Sequence, residues 1–163
     1  MINNKSLGIQ RRRVQNLEDY LAEHVDAVEL PANHYFTNNG NSLDVCCREF
    51  FMPKGIVITG TLYKQELFLV LAKGKMLVIE GDHSIEVQAP LLIKNLNGTK
   101  NSWYSLEDVL IYGFIPNPTN SRNLHDIINP FGVAAEIQGM GENKQQINTR
   151  KRRLEHEIRG QGI

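Results

Sequence analysis

Residues 53–116 read PKGIVITGTLYKQELFLVLAKGKMLVIEGDHSIEVQAPLLIKNLNGTKNSWYSLEDVLIYGFIP, a series of short apolar runs separated by glycine, proline and polar turns. The apolar runs are rich in β-branched and aromatic residues and too short for buried helices, so they predict β-strands. They span residues 55–60, 67–72, 75–80 and 109–115. Residues 80–83 (Glu-Gly-Asp-His) and 97–99 (Asn-Gly-Thr) have the composition of tight turns. This stretch therefore predicts the wall of a small antiparallel β-barrel.

An amphipathic helix is predicted upstream of the barrel, after a polar arm of residues 1–10. Its apolar residues recur every three to four positions and its acidic residues lie mostly on the other face. The apolar set is Val14, Leu17, Leu21, Val25 and Val28, and the acidic set is Glu18, Asp19, Glu23 and Asp26. Pro31 ends the helix. Strands at 34–36 and 43–51 are predicted on either side of an Asn-Asn-Gly-Asn turn at 38–41.

The chain downstream of the barrel is predicted to leave the domain. Asn120 and Ser121 can cap a short helix that runs through Ile128 and is stopped by Asn129-Pro130. Gly132, Gly139 and Gly141 indicate a linker, and residues 142–159 form a polar segment with a thin apolar stripe of Ile147, Leu154 and Ile158. We therefore predict an N-terminal arm and helix (1–30), a barrel with a short closing helix (31–130), and a linker with a polar, basic C-terminal helical arm (131–163).

Composition limits the class of protein. A chain of 163 residues is expected to form one domain with a sizeable core. Cys46 and Cys47 are adjacent, so on a strand they face opposite sides of the sheet and are not expected to bridge each other. No apolar run of membrane-spanning length and no secretory signal is visible, so we expect a soluble protein in a reducing compartment.

Charge is distributed unevenly along a chain whose net charge is zero. Residues 1–13 carry four basic residues and no acid, and residues 142–163 carry six basic and three acidic residues. The residues between them therefore carry a net charge of −7. Two basic ends flank an acidic body, a pattern that favours a charged partner.

Several short motifs occur in a fixed order through the barrel. They are Met52-Pro53-Lys54-Gly55, Thr59-Gly60, Lys73-Gly74, Ala89-Pro90, Asn97-Gly98-Thr99-Lys100 and Leu106-Glu107-Asp108, preceded by Leu30-Pro31 and His34-Tyr35-Phe36. In this order, residues 29–128 resemble small single-domain cupins encoded by tailed bacteriophages. The resemblance implies a cupin-like antiparallel β-barrel of jelly-roll type that forms homo-oligomers.

The same resemblance identifies where metal ligands would lie. Cupins that bind metal present histidines and a glutamate at positions that here hold Thr61, Tyr63, Leu67 and Asn101. Iron, manganese, nickel and zinc prefer imidazole or carboxylate ligands. Glu66 is one residue away, but a shift of one residue turns a strand side chain to the opposite face. We expect neither a metal nor another cofactor.

A pocket without metal remains an alternative. Tyr63, Trp103, Tyr104 and Tyr112 can line the barrel interior or mouth, although core packing explains such residues more often. The expected contacts of a ligand are Thr61, Tyr63, Lys100, Asn101 and Tyr112. Inward polar groups would favour ligand binding, whereas an interior filled by Leu67, Leu69 and Met76 would favour a structural role.

Three interpretations of the basic ends are open: a protein partner, a solvated tail, or nucleic acid. The residues concerned are Arg11, Arg12, Arg13, Arg150, Lys151, Arg152, Arg153, Leu154 and Ile158. We favour a protein partner, because no nucleic-acid motif accompanies the charges. The expected partners are other copies of the chain and other virion or phage proteins, with no membrane, in the virion or the host cytoplasm.

We therefore expect a non-enzymatic, phage-encoded interaction module, a structural or accessory virion component that joins neighbouring subunits through its barrel and arms. The first alternative is a metal-independent cupin that binds a small molecule in the host cytoplasm. The second is a sugar isomerase or epimerase, for which the sequence offers no convincing acid and base pair.

The candidate catalytic residues are weak. His125-Asp126 are helix neighbours that do not face each other. Cys46 and Cys47 are more typical of buried structural thiols than of nucleophiles activated by Arg48.

Overall fold

The structure, a computed structural model, describes residues 4–24, 30–40, 43–60, 62–80, 83–128 and 132–133. Its elements in chain order are α1 (Asn4–His24), β1 (Ala32–Phe36), β2 (Val45–Met52), β3 (Val57–Thr59), β4 (Leu62–Tyr63), β5 (Leu67–Lys73), β6 (Lys75–Glu80), β7 (His83–Gln88), β8 (Leu91–Asn95), β9 (Ser102–Ser105), β10 (Val109–Pro116), α2 (Leu124–Ile128) and β11 (Gly132–Val133). Within these ranges no helix is both long and apolar enough to span a membrane.

Antiparallel pairing organises the strands into two main sheets. One sheet has five strands in the order β1-β2-β10-β5-β8, and the other has four in the order β3-β9-β6-β7. A small third sheet joins β11 to β4. Strands distant in sequence, such as β2 and β10, lie side by side, as expected of a jelly roll. The predicted fold class, mainly antiparallel β with an N-terminal helix, is confirmed; the predicted C-terminal helical arm lies outside the described residues.

The core lies between the two main sheets. Each sheet turns alternate residues of its strands inward, because successive side chains of a strand point to opposite faces. The five-stranded sheet contributes Phe50, Met52, Leu69, Leu71 and Ile111, and the four-stranded sheet contributes Ile58, Met76, Val78 and Trp103. Both sets belong to one cluster of buried side chains. We refer to this region as the interior and to the opposite side of each sheet as its outer face.

The strands predicted at 67–72, 75–80 and 109–115 match β5, β6 and β10 within a residue. The strand predicted at 55–60 is shorter, because β3 covers Val57–Thr59. The turn predicted at 97–99 is present, and within it the Thr99 N–H donates to the Leu96 carbonyl at 3.2 Å. Glu80 pairs with His83, so β6 and β7 form the predicted hairpin; His83 lies in β7 itself.

Helix α1 differs from its prediction in two respects. It begins at Asn4 and not after residue 10, because the predicted arm includes Lys5, Leu7 and Gln10, which are good helix formers. Val14 and Leu21 are buried as predicted, but Glu18 is buried between them, so its assignment to the polar face was wrong. Val25 and Val28 lie outside the described residues.

The C-terminal end of the described chain closes onto the barrel. The Ser121 hydroxyl accepts from the Asn123 N–H at 3.1 Å, one turn before α2. Gly132 and Val133, which the sequence assigns to a linker, instead pair with Tyr63 and Leu62 of β4. The chain therefore remains attached to the barrel as far as Val133.

Candidate functional site

The interior contains a small polar cluster where the resemblance would place a metal. Leu67 on β5 pairs with Asn95 on β8, and both are buried. Both face inward, because Leu69 and Ile93, two residues away on the same strands, pack in the core. The Asn101 side chain reaches the cluster from the turn before β9, and its Nδ2 donates to Asn95 Oδ1 at 3.2 Å.

These side chains do not fit a catalytic metal centre. Leu67 has no ligand atom, Asn101 offers a neutral amide, and Tyr63 offers a phenol, whereas first-row metals prefer imidazole, thiolate or carboxylate. Glu66 is exposed and its Oε2 lies 2.8 Å from the Lys94 ammonium. Among the residues that the structure describes, no group of three or more His, Cys, Asp or Glu could hold a metal ion. We therefore derive no step through a metal.

Backbone hydrogen bonds hold Tyr63 beside the turn that precedes Asn101. The Tyr63 N–H donates to the Thr99 carbonyl at 3.0 Å, and the Tyr63 carbonyl accepts from the Gly98 N–H at 2.7 Å. Tyr63 is half-buried at this end of the barrel. Thr61, the third residue predicted here, lies outside the described residues.

Two buried donors in the interior have no hydrogen-bond partner among the described residues. They are Asn95 Nδ2 and Trp103 Nε1, on side chains that are 2% and 7% exposed. Trp103 lies two residues after Asn101, on the same side of the strand. A buried donor without an acceptor is costly. Both groups would be satisfied by the same kind of partner, a hydrogen-bond acceptor.

Lys100 lies outside this cluster. Its Nζ donates to Gln15 Oε1 at 3.1 Å and also to Glu18 Oε2, both on α1. Neighbouring residues in extended chain point in opposite directions, so Lys100 faces the helix while Asn101 faces the interior. The structure thus separates two residues that the sequence grouped as ligand contacts.

Tyr112 also lies outside the interior, on the outer face of the five-stranded sheet. Its hydroxyl donates to Glu49 Oε2 at 3.1 Å, and Asn33 Nδ2 donates to Glu49 Oε1 at 2.7 Å. Burial, reinforced by the Glu49 carboxylate, raises the pKa of Tyr112 well above its usual range. The sequence-based prediction missed this Glu49 cluster, although a glutamate within an apolar strand is a signal that could have found it.

The two cysteines face opposite sides of β2, as predicted. Cys46 is fully buried and Cys47 is half-buried. Burial raises the pKa of both thiols, and for Cys46 it outweighs the opposing effect of Arg48. Neither thiol has the lowered pKa that an activated nucleophile needs.

The outer face of the five-stranded sheet is unusually apolar. One register row crosses it as Tyr35, Cys47, Phe114, Phe68 and Lys94, and the adjacent row as Asn33, Glu49, Tyr112, Val70 and Leu92. Four large side chains of these rows are strongly exposed: Phe114 (43%), Tyr35 (49%), Phe68 (49%) and Leu92 (61%). We call these four residues the apolar face. Exposed patches of this kind mark interaction surfaces.

The structure describes only some of the residues in the basic ends that are predicted to contact a partner. Arg11, Arg12 and Arg13 belong to α1, and Arg12 and Arg13 are exposed. Arg150, Lys151, Arg152, Arg153, Leu154 and Ile158 lie outside the described residues. Their binding of a partner stays a prediction.

No protein-family model matches the sequence, and no curated protein is similar to it. Solved structures with a similar fold include a cupin-2 domain protein from Shewanella frigidimarina, at 13% identity, a TM-score of 0.44, and coverage of 66% of this chain and 99% of that one. The cupin domain of Cnp3 from Schizosaccharomyces pombe has 15% identity, a TM-score of 0.45, and coverage of 65% and 73%. Ectoine synthase from P. lautus has 10% identity, a TM-score of 0.45, and coverage of 66% and 80%.

Proposed function

We propose that this protein is a non-enzymatic interaction module that joins neighbouring protein subunits, with the apolar face as its contact surface. The observation that carries the proposal is the exposure of Tyr35, Phe68, Leu92 and Phe114 on adjacent positions of one sheet. Phe68 and Phe114 are direct cross-strand partners. Covering such side chains removes apolar area from water, which is the main driving force of most protein association.

The apolar lining of the interior supports a structural role over a pocket. Leu67, Leu69 and Met76, which would line a cavity if one were open, are all buried. Leu69 and Met76 come from opposite sheets and belong to the same packed cluster. Buried apolar side chains of this kind supply stability, and the function is then argued from a site elsewhere on the molecule.

The resemblance to phage cupins makes other copies of this chain and other virion proteins the expected neighbours. Under this proposal the protein is an accessory structural component of a phage particle. The basic ends contribute by meeting the acidic body of a neighbour, since opposite charge steers association. Nucleic acid is the less favoured partner of these ends.

Light-scattering mass of the purified full-length protein tests the proposal. We expect an oligomer that dissociates when Phe68→Asp places a charge in the apolar face. Ile85→Asp is the matched control, because Ile85 is also strongly exposed but lies on β7 of the other sheet. A full-length protein that is monomeric at all concentrations, or an oligomer that tolerates Phe68→Asp, contradicts the proposal.

A second candidate function is binding of a small molecule in the interior, and the unpartnered donors of Asn95 and Trp103 favour it. Two donors select a ligand with acceptor atoms, such as a carboxylate. Trp103 is the single tryptophan of the chain, so its fluorescence reports directly on the site. Titration with small mono- and dicarboxylates should change that fluorescence, and the accompanying rise in Tm should be lost in Trp103→Phe. No change with any of them argues against this candidate.

A further inference from the structure

We propose that the apolar face is the docking site for the C-terminal segment, residues 142–159, of a neighbouring copy. The inference rests on the proposed function and names the part of the chain that makes the contact. Its evidence is the chemistry of the face, the size of the segment, and the place where the described chain ends.

The apolar stripe of the segment matches the face in size. On a helix, Ile147, Leu154 and Ile158 fall within about 40° of one another and span about 16 Å along the axis. The apolar face extends from Tyr35 on β1 to Leu92 on β8, across four strand spacings of the five-stranded sheet, or about 19 Å. A helix with so thin a stripe is marginal alone and needs a surface that buries it.

Charge also favours this occupant. The segment contains Arg150, Lys151, Arg152 and Arg153 beside its stripe. The face offers the exposed rings of Tyr35, Phe68 and Phe114. Aromatic rings attract guanidinium groups. The segment is basic and the body of the chain is acidic, so electrostatic attraction also favours this docking.

The end of the described chain places the segment within reach. Val133 pairs with Leu62, which precedes Phe68 by only six residues. Residues 134–141 can then span at most about 28 Å when extended. This linker begins where β11 pairs with β4, the strand that precedes β5 of the apolar face in the chain, and it allows the segment to extend from its own barrel to a neighbouring copy. Exchange of a terminal segment between copies is a low-cost route to a closed assembly.

Cys47 provides a native reporter, because it lies in the same register row as Tyr35, Phe114 and Phe68. In full-length protein carrying Cys46→Ala, it is the single thiol. The rate of its alkylation by iodoacetamide measures whether the face is covered. Light scattering on the same samples measures assembly.

The test variant is Leu154→Asp with Ile158→Asp, which adds two charges to the stripe. The matched control is Gln145→Asp with His156→Asp, which adds two charges on the opposite side of the same helix. We expect the test variant to be alkylated at least about 10-fold faster at Cys47 and to lose mass, since each buried apolar side chain contributes about tenfold or more to the docking equilibrium. The control should behave as the parent protein.

Other outcomes separate this inference from the proposed function. If the stripe variant keeps both mass and Cys47 protection while Phe68→Asp loses them, the apolar faces pair with each other, which overturns the inference and leaves the proposed function standing. If the parent protein is a monomer whose Cys47 becomes reactive in the stripe variant, the segment covers its own chain, and both proposals fail. A monomer whose Cys47 already reacts quickly also overturns both.

Discussion

The Lys100 ammonium of the barrel donates to the Glu18 carboxylate in the middle of α1, and both side chains are almost completely buried, at 8% and 2% exposure. Gln15, one turn earlier on α1, also accepts from Lys100. The helix is therefore attached to the barrel through a buried ion pair flanked by the apolar residues Val14 and Leu21. Each of the two charges is stabilised by the other, because a buried charge without a partner is strongly unfavourable.

Lys100→Met should destabilise the protein by about 3–5 kcal/mol, because it leaves the Glu18 carboxylate buried and unpaired. The free energy of unfolding, from urea titration followed by circular dichroism, measures this loss. The double variant Glu18→Leu with Lys100→Met should recover most of it, since an apolar pair can replace a buried ion pair at little cost. Losses that simply add in the double variant would show that the two charges are not coupled.

Alanine substitutions at two glycines in the corners of the barrel should destabilise the protein to different degrees. Gly55 and Gly74 both have positive φ, at +84° and +88°. A Cβ at Gly55 meets nothing within 4 Å, whereas one at Gly74 would collide with the Asp108 carbonyl and lie 3.1 Å from the Val109 Cα. Gly55→Ala should cost about 1–2 kcal/mol from the backbone conformation alone. Gly74→Ala should cost clearly more, measured as the difference in urea midpoints; equal losses would contradict the contact with Asp108.

Tyr112→Phe should lower stability by about 1–3 kcal/mol, because the buried Glu49 carboxylate loses a donor.

Tyr112→Phe should also change how the stability responds to alkaline pH. Burial and Glu49 raise the pKa of Tyr112, so the folded protein keeps its phenol neutral where the unfolded chain ionises, near pH 10. The stability contributed by this neutral phenol is present below about pH 10 and lost as the pH rises further. Unfolding titrations at pH 8 and pH 10.5 should therefore show a smaller alkaline loss in the variant than in the parent.

The sequence predicted the strands that form continuous apolar runs, and it missed the edge strand β7, the two-residue β4 and the buried but short β9. β5 and β10 read as continuous apolar runs, because their inward and outward residues are both apolar. β7, with the sequence HSIEVQ, lies at the edge of its sheet and is almost entirely exposed, so no apolar pattern distinguishes it. β4 has two residues and depends on pairing with β11, far along the chain.

The sequence indicated some residues of the interior polar cluster and missed others. Counting from glycines assigned Leu67 and Asn101 to one site, and in the structure Leu67 pairs with Asn95 while Asn101 donates to the Asn95 side chain. Asn95 was missed, since only the pairing of β8 with β5 brings it opposite Leu67. Tyr112 and Lys100 were assigned to the interior because alternation along a strand gives two faces without indicating which one is inward.

His34 provides a test at the acidic end of the pH range. It lies on β1 directly opposite Arg48, and its buried Nε2 has no hydrogen-bond partner among the described residues. Burial, and secondarily the charge of Arg48, lower the pKa of His34 below its usual value near 6.5. The unfolded chain therefore takes up a proton that the folded protein resists, so stability declines as the pH falls below about 6.5.

His34→Gln should reduce the loss of stability between pH 7 and pH 5 in urea titrations. NMR titration of the His34 ring in the folded parent protein should show a midpoint below that of the urea-unfolded protein. Identical pH slopes in the parent and His34→Gln would show that His34 is as free to ionise in the folded barrel as in the unfolded chain.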